Sequence, residues 1–349
     1  MTECLIQDFT YIKNNPSIDW EKLNNASFLI TGSTGLVGSM TVKALLNCRE
    51  NTTVYALVRN IKKAEAIFAE EINDPRLKFV IADVTEPFEI KGGIDYIIHG
   101  ASVTASKYMV SNPVETLMTA IKGTTNILEF AKCHNVKSIV YISSMEAYGV
   151  TDSKKDLITE KDLGYIDILN PRSSYSEGKR ICECICAAYT SQHNIPVKIA
   201  RLAQTFGAGV PESDTRVFAQ FAKSAINGEN IVLRTAGESF GNYCYTADAI
   251  SALLCLLTRG ENGQAYTVVN EETTMRIKDM ASLVAKEISK GKSQVAFDIP
   301  ENSAVLGYAP DSTMHLTSQK LRNLGWSPSY GLKEMYQRMI TDWQENSMN

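Results

Sequence analysis

Short apolar runs alternate with longer amphipathic stretches between residues 27 and 202. The first run, Ser27–Thr31, has the continuous apolar character of a strand that is buried on both faces of a parallel sheet. Similar runs occupy 54–58, 79–81, 96–99, 139–142 and 197–202, and helical stretches lie at 116–133 and 176–189. Because strands that alternate with helices build parallel sheets covered on both sides, the pattern predicts a doubly wound α/β fold.

Three glycines follow the first predicted strand with the spacing G-x-x-G-x-x-G, and a helical pattern begins directly after them. Bare backbone lets a phosphate approach closely, and a helix N-terminus offers unpaired N–H groups and a positive dipole end. The loop therefore predicts a site for a dinucleotide pyrophosphate, the alternative being a glycine-rich turn that binds nothing. Its residues are Gly32, Thr34, Gly35, Leu36, Val37 and Gly38.

Tyr175 and Lys179 are four residues apart in a predicted helix, so their side chains lie on the same face. A phenol has a pKa near ~10 and is a poor proton acceptor at neutral pH unless a fixed positive charge favours the phenolate. Lys179 could supply that charge, although such a pair also occurs on ordinary solvated helices. The spacing alone is weak evidence for an acid/base pair.

The composition excludes several classes of function. With 35 basic and 39 acidic residues interspersed, the chain has no basic stripe, so no nucleic-acid partner is expected. The longest apolar run, 249–257, is too short to cross a bilayer, and the N-terminus lacks a leader pattern. We therefore expect a cytoplasmic protein without a membrane partner. The eight cysteines and four histidines form no metal-binding pattern.

Five motifs in order give the chain its resemblance to a known family. They are the glycine loop, Asp83-Val84, the segment 95–101 that ends in Ala101, the segment 143–149, and the Tyr175/Lys179 pair. The chain resembles the extended short-chain dehydrogenase/reductases, in the NAD-dependent epimerase/dehydratase branch that acts on nucleotide-activated sugars. The resemblance covers nearly the whole chain and implies an enzyme with a Rossmann-type fold.

The resemblance also assigns roles. It implies that Tyr175 is the catalytic acid/base, that Lys179 lowers its pKa and holds the nicotinamide ribose, and that Ser144, rather than Ser143, hydrogen-bonds the substrate oxygen. Asp83, Val84 and Ala101 would contact the cofactor. A homodimer through the helices near 116–133 and 176–189 is expected by the same analogy.

The resemblance and the pattern together divide the chain into three parts. Residues 1–26 form an N-terminal extension with an amphipathic stretch at 5–13, which covers the domain or contacts a second subunit. Residues 27–205 form the NAD(P)-binding Rossmann domain, to which 264–270 is expected to return. Residues 206–349 are expected to form mainly a smaller C-terminal α/β domain that binds the substrate.

The end of the second predicted strand bears on the choice of cofactor. NAD-selective members carry an acidic residue there for the ribose 2′-hydroxyl, whereas an arginine suits the 2′-phosphate of NADP. This chain has Arg59 and no acid, so NADP is favoured and NAD is the alternative. Arg59 favours NADPH-dependent reduction of a carbonyl on a nucleotide-activated sugar or ketose, in the synthesis of surface-polysaccharide precursors.

Glu146 favours a different reaction. The wider motifs are closest to those of UDP-glucuronate decarboxylases, and Met145-Glu146 lacks the paired carboxylates of the glucose dehydratases. The alternative to net reduction is therefore a redox-neutral decarboxylase, 4-epimerase or 4,6-dehydratase with bound NAD. A non-catalytic dinucleotide sensor or scaffold is a third reading, and the intact set of Ser144, Tyr175 and Lys179 argues against it.

The predicted substrate region departs from the family pattern. Gly241 and the stretch 310–314 lack two arginines expected on a substrate diphosphate, and Gln204 replaces an asparagine. Each lost charge-assisted hydrogen bond would cost about 1.5–3 kcal/mol if nothing replaced it. We expect Arg216, with Arg234 and Lys107 as substitutes, to contact phosphate. Ser102 and Thr104 face the sugar or are simply solvated loop residues.

Overall fold

The computed structural model describes residues 1–300 and 313–348 of the chain. Its strands are β1 (Ser27–Thr31), β2 (Thr53–Val58), β3 (Leu77–Ile81), β4 (Tyr96–His99), β5 (Ser138–Ser144), β6 (Val197–Leu202), β7 (Gln204–Phe206), β8 (Ile231–Leu233), β9 (Phe240–Tyr245), β10 (Ala265–Val268), β11 (Asn270–Arg276) and β12 (Val295–Phe297). Its helices are α1 (Glu3–Lys13), α2 (Leu36–Cys48), α3 (Ile61–Ile67), α4 (Ser106–Ser111), α5 (Pro113–His134), α6 (Ser173–His193), α7 (Val217–Asn227), α8 (Thr246–Arg259), α9 (Ile277–Leu283), α10 (Gln319–Arg322) and α11 (Leu332–Met348). A 3₁₀ turn at Met145–Tyr148 follows β5, and a π-helical turn at Val284–Ile288 follows α9.

Seven strands form one parallel sheet in the order β10-β6-β5-β4-β1-β2-β3. The predicted doubly wound α/β fold is confirmed. Because all seven strands run in the same direction, their carboxyl ends meet at one edge of the sheet. The loops after β1, β4 and β5 therefore lie at that edge, where open α/β sheets bind their ligands.

The two faces of the sheet are covered by different helices. Phe28 and Ile30 of β1 point into the cluster that includes residues of α1, α2 and α8, whereas Leu29 points into the cluster that includes residues of α5 and α6. Successive side chains of a strand point to opposite faces, so a strand covered on both sides needs apolar residues throughout. This explains the continuous apolar runs in the sequence.

The N-terminal helix α1 packs against α2, α8 and α11 of its own chain. Leu5, Phe9 and Ile12 are buried in that contact. Asp8, on the same helix, is also buried and pairs with Arg338 of α11. Residues of the extension therefore form part of the main core, and α1 ties the end of the chain to its beginning.

The C-terminal part contains two small sheets, β11-β9-β7 and β12-β8, while β10 lies beside β6 in the main sheet. Helices of both parts pack together, as α2 does with α8, so the division at residue 205 stays a prediction. Within the described residues, no helix is both long and apolar enough to cross a bilayer. The same residues contain no group of three His, Cys, Asp or Glu side chains placed to hold a metal ion.

Candidate active site

The glycine loop after β1 is a tight turn that only glycine allows at two of its positions. Gly32 has a φ of +70°, and a Cβ there would lie 2.7 Å from the carbonyl carbon of Gly100. A Cβ at Gly38 would lie 2.3 Å from the carbonyl oxygen of Gly32. Gly35 caps α2 without a side chain, Thr34 lies in the turn before it, and Leu36 and Val37 are the first residues of the helix. The first N–H groups of α2 are therefore open to a pyrophosphate, and the loop fits a dinucleotide.

Two opposite charges face each other where β2 and β3 end. Arg59 is 73% exposed, and its Nη1 lies 3.9 Å from Oδ2 of Asp83. Asp83 accepts hydrogen bonds from the backbone and hydroxyl of Thr85, and these bonds together with Arg59 lower the pKa of its carboxyl. Val84 is buried beneath Gly123. This edge offers both a carboxylate and a guanidinium, so it does not by itself select a ribose 2′-phosphate over a 2′-hydroxyl.

A chain of buried polar groups fixes the loop after β4. The backbone N–H of Ala101 donates to Oγ1 of Thr31 at 3.1 Å, and that oxygen lies 2.7 Å from Nδ1 of His99. The other ring nitrogen of His99 lies 3.3 Å from Oγ1 of Thr124. Burial lowers the pKa of His99 to about 3, so the ring is neutral. The chain holds Ala101 against the glycine loop and makes His99 a structural residue.

The two serines at the end of β5 have different partners. Ser143 donates to Oε1 of the buried Glu183 at 2.5 Å, and Glu183 is held by Arg201. Ser144 accepts from the backbone N–H of Glu146 at 3.2 Å, and its hydroxyl lies close enough to that of Tyr175 to lower the pKa of the phenol. The structure therefore brings Ser144, and not Ser143, to Tyr175.

Lys179 is buried behind Tyr175. Its Nζ donates to the carbonyl oxygen of Ile142 at 2.8 Å and lies 5.1 Å from the ring centre of Tyr141 and 5.7 Å from that of Tyr175. Burial lowers the pKa of Lys179 to about 8, because the charged ammonium loses its hydration there. The side chain is therefore still mostly cationic at neutral pH.

The pKa of Tyr175 moves in the opposite direction to the expected one. Burial and then the Glu146 carboxylate raise it to about 12, whereas the Ser144 hydrogen bond and Arg172 lower it. The expectation that Lys179 lowers this pKa is wrong for the structure as described. The physical reason is that the ammonium is directed to the Ile142 carbonyl oxygen, while the Glu146 carboxylate disfavours the negative charge of the phenolate.

Glu146 has two partners that the sequence reasoning missed. Nη2 of Arg172 donates to Oε1 of Glu146 at 2.9 Å, and the Ser176 hydroxyl donates to Oε2 at 3.2 Å. The guanidinium carbon of Arg172 also lies 5.9 Å from the centre of the Tyr175 ring. The available signal was position, since Arg172 and Ser176 flank Tyr175 where α6 begins. Ser144, Glu146, Tyr175 and Lys179 thus lie together with Arg172 in one site.

Among the described residues, no hydrogen bond or ion pair joins the predicted phosphate contacts to this centre. Arg216 pairs with Asp214, Arg234 pairs with Asp298, and Lys107 is exposed on α4. The remaining predicted substrate residues, Ser102 and Thr104 after β4 and Gln204 at the start of β7, are half-buried or exposed. Their contact with a substrate stays a prediction.

Gly241 is explained by the tyrosine two residues later. A Cβ at Gly241 would lie 2.2 Å from the hydroxyl oxygen of Tyr243, so that ring occupies the space which a larger side chain would need. Tyr243 is fully buried, and its hydroxyl has no hydrogen-bond partner among the described residues. Of the second expected arginine site, residues 310–312 lie outside the described residues, and Thr313 and Met314 lie inside them.

Residues 28–270 match the model of the NAD dependent epimerase/dehydratase family. The chain belongs to that family. The epimerase/dehydratase assignment made from the motifs is confirmed, and the chain is an enzyme of the extended short-chain dehydrogenase/reductase type. Among its curated relatives, UDP-glucuronic acid decarboxylase 6 of Arabidopsis thaliana is 30% identical over 330 residues, which cover 92% of this chain and 90% of the relative.

Solved structures of this family have the same fold. An epimerase from Methanothermobacter thermautotrophicus superposes with a TM-score of 0.78 at 22% identity, covering 97% of each chain. A dTDP-glucose 4,6-dehydratase from Bacillus anthracis, solved in complex with NAD, gives a TM-score of 0.74 at 17% identity, covering 93% of this chain and 98% of that one. Neither these matches nor the curated relative supports the preference for NADP or for net carbonyl reduction.

Proposed function

We propose that this enzyme binds NAD and oxidises a hydroxyl of a nucleotide-linked sugar, and that the hydride returns to the sugar within the same turnover, so that the cofactor ends in its oxidised form. Removal of the carboxylate from a nucleotide-linked uronate is the first reaction to test. The observation that carries the proposal is the site of Ser144, Glu146, Tyr175 and Lys179, in a chain 30% identical to a UDP-glucuronic acid decarboxylase over 92% of its length.

Tyr175 and Ser144 handle the proton of the sugar hydroxyl in this proposal. Ser144 accepts from the Glu146 backbone, so its own hydroxyl hydrogen is available to Tyr175 or to the substrate oxygen. NAD, held by the glycine loop and Lys179, would supply the reversible hydride transfer from the sugar carbon. Tyr175 must lose its proton to act as a base, and the cost of doing so follows from its raised pKa of about 12.

Lys179 and Glu146 set the charge around that proton. Lys179 is a cation behind the phenol ring and would hold the nicotinamide ribose, as the family resemblance implies. Glu146 is a carboxylate on the open side, restrained by Arg172 and Ser176. A single carboxylate beside the acid/base suits a decarboxylase or epimerase better than a dehydratase that uses two.

Net reduction with NADPH is the second candidate, because β2 ends at Arg59 without an acid. Arg59 is weak support, since Asp83 lies opposite it. A reductase would act on a keto-sugar nucleotide or a ketose and would consume NADPH. The two candidates differ in whether the nicotinamide is changed at the end of the reaction.

Two measurements test both candidates. They are the identity of the dinucleotide that copurifies with the protein and the product formed from the substrate. Denatured protein should release NAD, identified by mass spectrometry, and incubation with UDP-glucuronate should release carbon dioxide without a lasting change in nicotinamide absorbance. The Tyr175→Phe variant should bind NAD and lose conversion. Stoichiometric oxidation of NADPH by a keto-sugar, with no reaction of UDP-glucuronate, would replace this proposal with the second candidate.

We also propose that the protein is a homodimer formed through α5 and α6. Val114 and Met118 of α5, and Ile181 of α6, are large apolar side chains exposed on this adjacent pair of helices. Four helices from two copies would bury them. Analytical sedimentation should give twice the chain mass, and Ile181→Glu should give the monomer. A monomeric parent protein would refute this assignment.

A further inference from the structure

Arg172 has hydrogen-bond donors to spare beside the reacting tyrosine. A guanidinium carries five N–H donors. Within residues 1–300 and 313–348, the guanidinium of Arg172 donates only to Glu146, through Nη2. Its side chain is 24% exposed, so the other donors can be reached by a ligand.

The two cations that follow on α6 are already engaged. Lys179 is buried and donates to the carbonyl oxygen of Ile142. The guanidinium of Arg180 donates to the carbonyl oxygens of Ala147, Tyr148 and Gly164. Of Arg172, Lys179 and Arg180, Arg172 is therefore the cation that can pair with an incoming anion near Tyr175.

The pair between Arg172 and Glu146 can be exchanged at low cost. Its two side chains are 24% and 36% exposed, and only one hydrogen bond joins them. Partly exposed ion pairs of this kind contribute little net free energy, so a second carboxylate can compete for the guanidinium. Glu146 would keep the hydroxyl of Ser176 as a partner after such an exchange.

We propose that Arg172 is an anion-binding residue of the substrate site, which exchanges Glu146 for a carboxylate on the substrate's sugar ring. The exchange brings the substrate carboxylate next to Tyr175 and releases the Glu146 carboxylate toward the sugar. The inference rests on the proposed function, since it takes the ligand to be a nucleotide-linked sugar. It adds that Arg172 is the residue which recognises the carboxylate of that sugar.

The test compares an acidic and a neutral ligand that differ in the carboxylate. The binding of UDP-glucuronate and UDP-glucose is measured by calorimetry on the NAD-loaded Tyr175→Phe protein, in which turnover is blocked. Arg172→Met should weaken UDP-glucuronate about 10- to 100-fold, as expected for one or two charge-assisted bonds, and UDP-glucose less than about threefold. Arg172→Lys should recover part of the loss.

Glu146→Gln distinguishes anion binding by Arg172 from a purely structural role of Arg172. Removing the competing carboxylate should tighten UDP-glucuronate several-fold and leave UDP-glucose unchanged. Lys137→Met is the matched control, because it removes one cation from an ion pair with Asp95, where the strands begin, at the opposite edge of the sheet. It should change neither affinity. Circular dichroism checks that each variant is folded.

The outcomes separate the inference from the proposed function. The role of Arg172 is refuted if Arg172→Met weakens the binding of both ligands equally, or if Glu146→Gln weakens the binding of UDP-glucuronate. Neither result contradicts the proposed function. If the parent Tyr175→Phe protein binds neither nucleotide sugar, the proposed function itself is wrong and the inference falls with it.

Discussion

The ion pair between Asp8 and Arg338 gives a quantitative prediction for the N-terminal extension. The guanidinium of Arg338 donates to Oδ1 of Asp8 at 2.7 Å, to the Tyr245 hydroxyl at 2.9 Å, to the carbonyl oxygen of Cys4 at 2.9 Å and to Oε1 of Gln7 at 3.1 Å. The side chains of Asp8 and Arg338 are only 4% and 14% exposed. Arg338→Met keeps most of the apolar stem but leaves a buried carboxylate without its cation. Breaking a buried pair in this way costs about 3–5 kcal/mol.

The stability lost in Arg338→Met should depend on pH, because the Asp8 carboxyl can become neutral. Burial raises the pKa of Asp8 from 3.8 to about 6 even with Arg338 present. The folded protein therefore binds this proton more strongly than the unfolded chain, so the stability linked to it is complete below pH 3.8 and is lost as the pH rises through 6. Without Arg338 the carboxyl favours the neutral form still more. We therefore expect the full loss at pH 8 and a smaller loss at pH 5.

Urea unfolding followed by tryptophan fluorescence measures this effect at both pH values. Asp8→Asn combined with Arg338→Met should recover a large part of the stability, because no uncompensated charge then remains. Lys137→Met at the exposed pair with Asp95 should cost less than about 1 kcal/mol. If Arg338→Met costs no more than Lys137→Met, or if the double variant is no more stable than Arg338→Met, the buried-charge argument is refuted.

Three further predictions concern the cofactor site and the core. Gly38→Ala should reduce dinucleotide affinity at least about tenfold in a fluorescence titration. The new Cβ would lie 2.3 Å from the Gly32 carbonyl oxygen and would displace the loop. Gly93→Ala is the control and should have no effect, because its new Cβ would meet no atom within 4 Å. Dinucleotide affinity should fall as the pH rises past about 8, because Lys179 loses its charge there. Lys179→Met should remove this pH dependence, and an unchanged pH dependence would contradict the assignment of it to Lys179. Stability should fall as the pH rises from 3.8 through about 7, because burial raises the pKa of Asp248 over that range, and Asp248→Asn should flatten the urea-unfolding profile.

Much of the fold was predictable because its signals are local. Strands buried on both faces are mostly apolar, so Ser27–Thr31, Tyr96–His99 and Val197–Leu202 were predicted with the bounds that the structure gives them. The last of these also carries the buried charges of Lys198 and Arg201. The glycine loop was readable for the same reason, since backbone contacts within a few residues require glycine there. The ends of helices were less predictable, and α5 and α6 extend beyond their predicted limits because their terminal turns are polar.

The electrostatics of the site could not be derived from spacing. Tyr175 and Lys179 do lie on one helix face, as their spacing requires, but a helix face does not determine where an ammonium is directed. Its direction is set by the Ile142 carbonyl at the end of β5, and the phenol's pKa is set by burial and by Glu146 from the turn that follows. Both belong to another element of the fold, so their effect depends on tertiary placement.

The glycine at position 241 is explained by its neighbour in the strand, Tyr243. From the sequence, glycine in place of arginine signified a lost contact to a diphosphate. Residues two apart in a strand share a face, and in β9 the Tyr243 ring fills the space beside Gly241. Arginine could not return there without moving that ring, so the change involves at least two positions. A substrate diphosphate would therefore need cations elsewhere in the chain. Arg172, which lies beside Tyr175 with unused donors, is proposed for the sugar carboxylate and does not replace that contact.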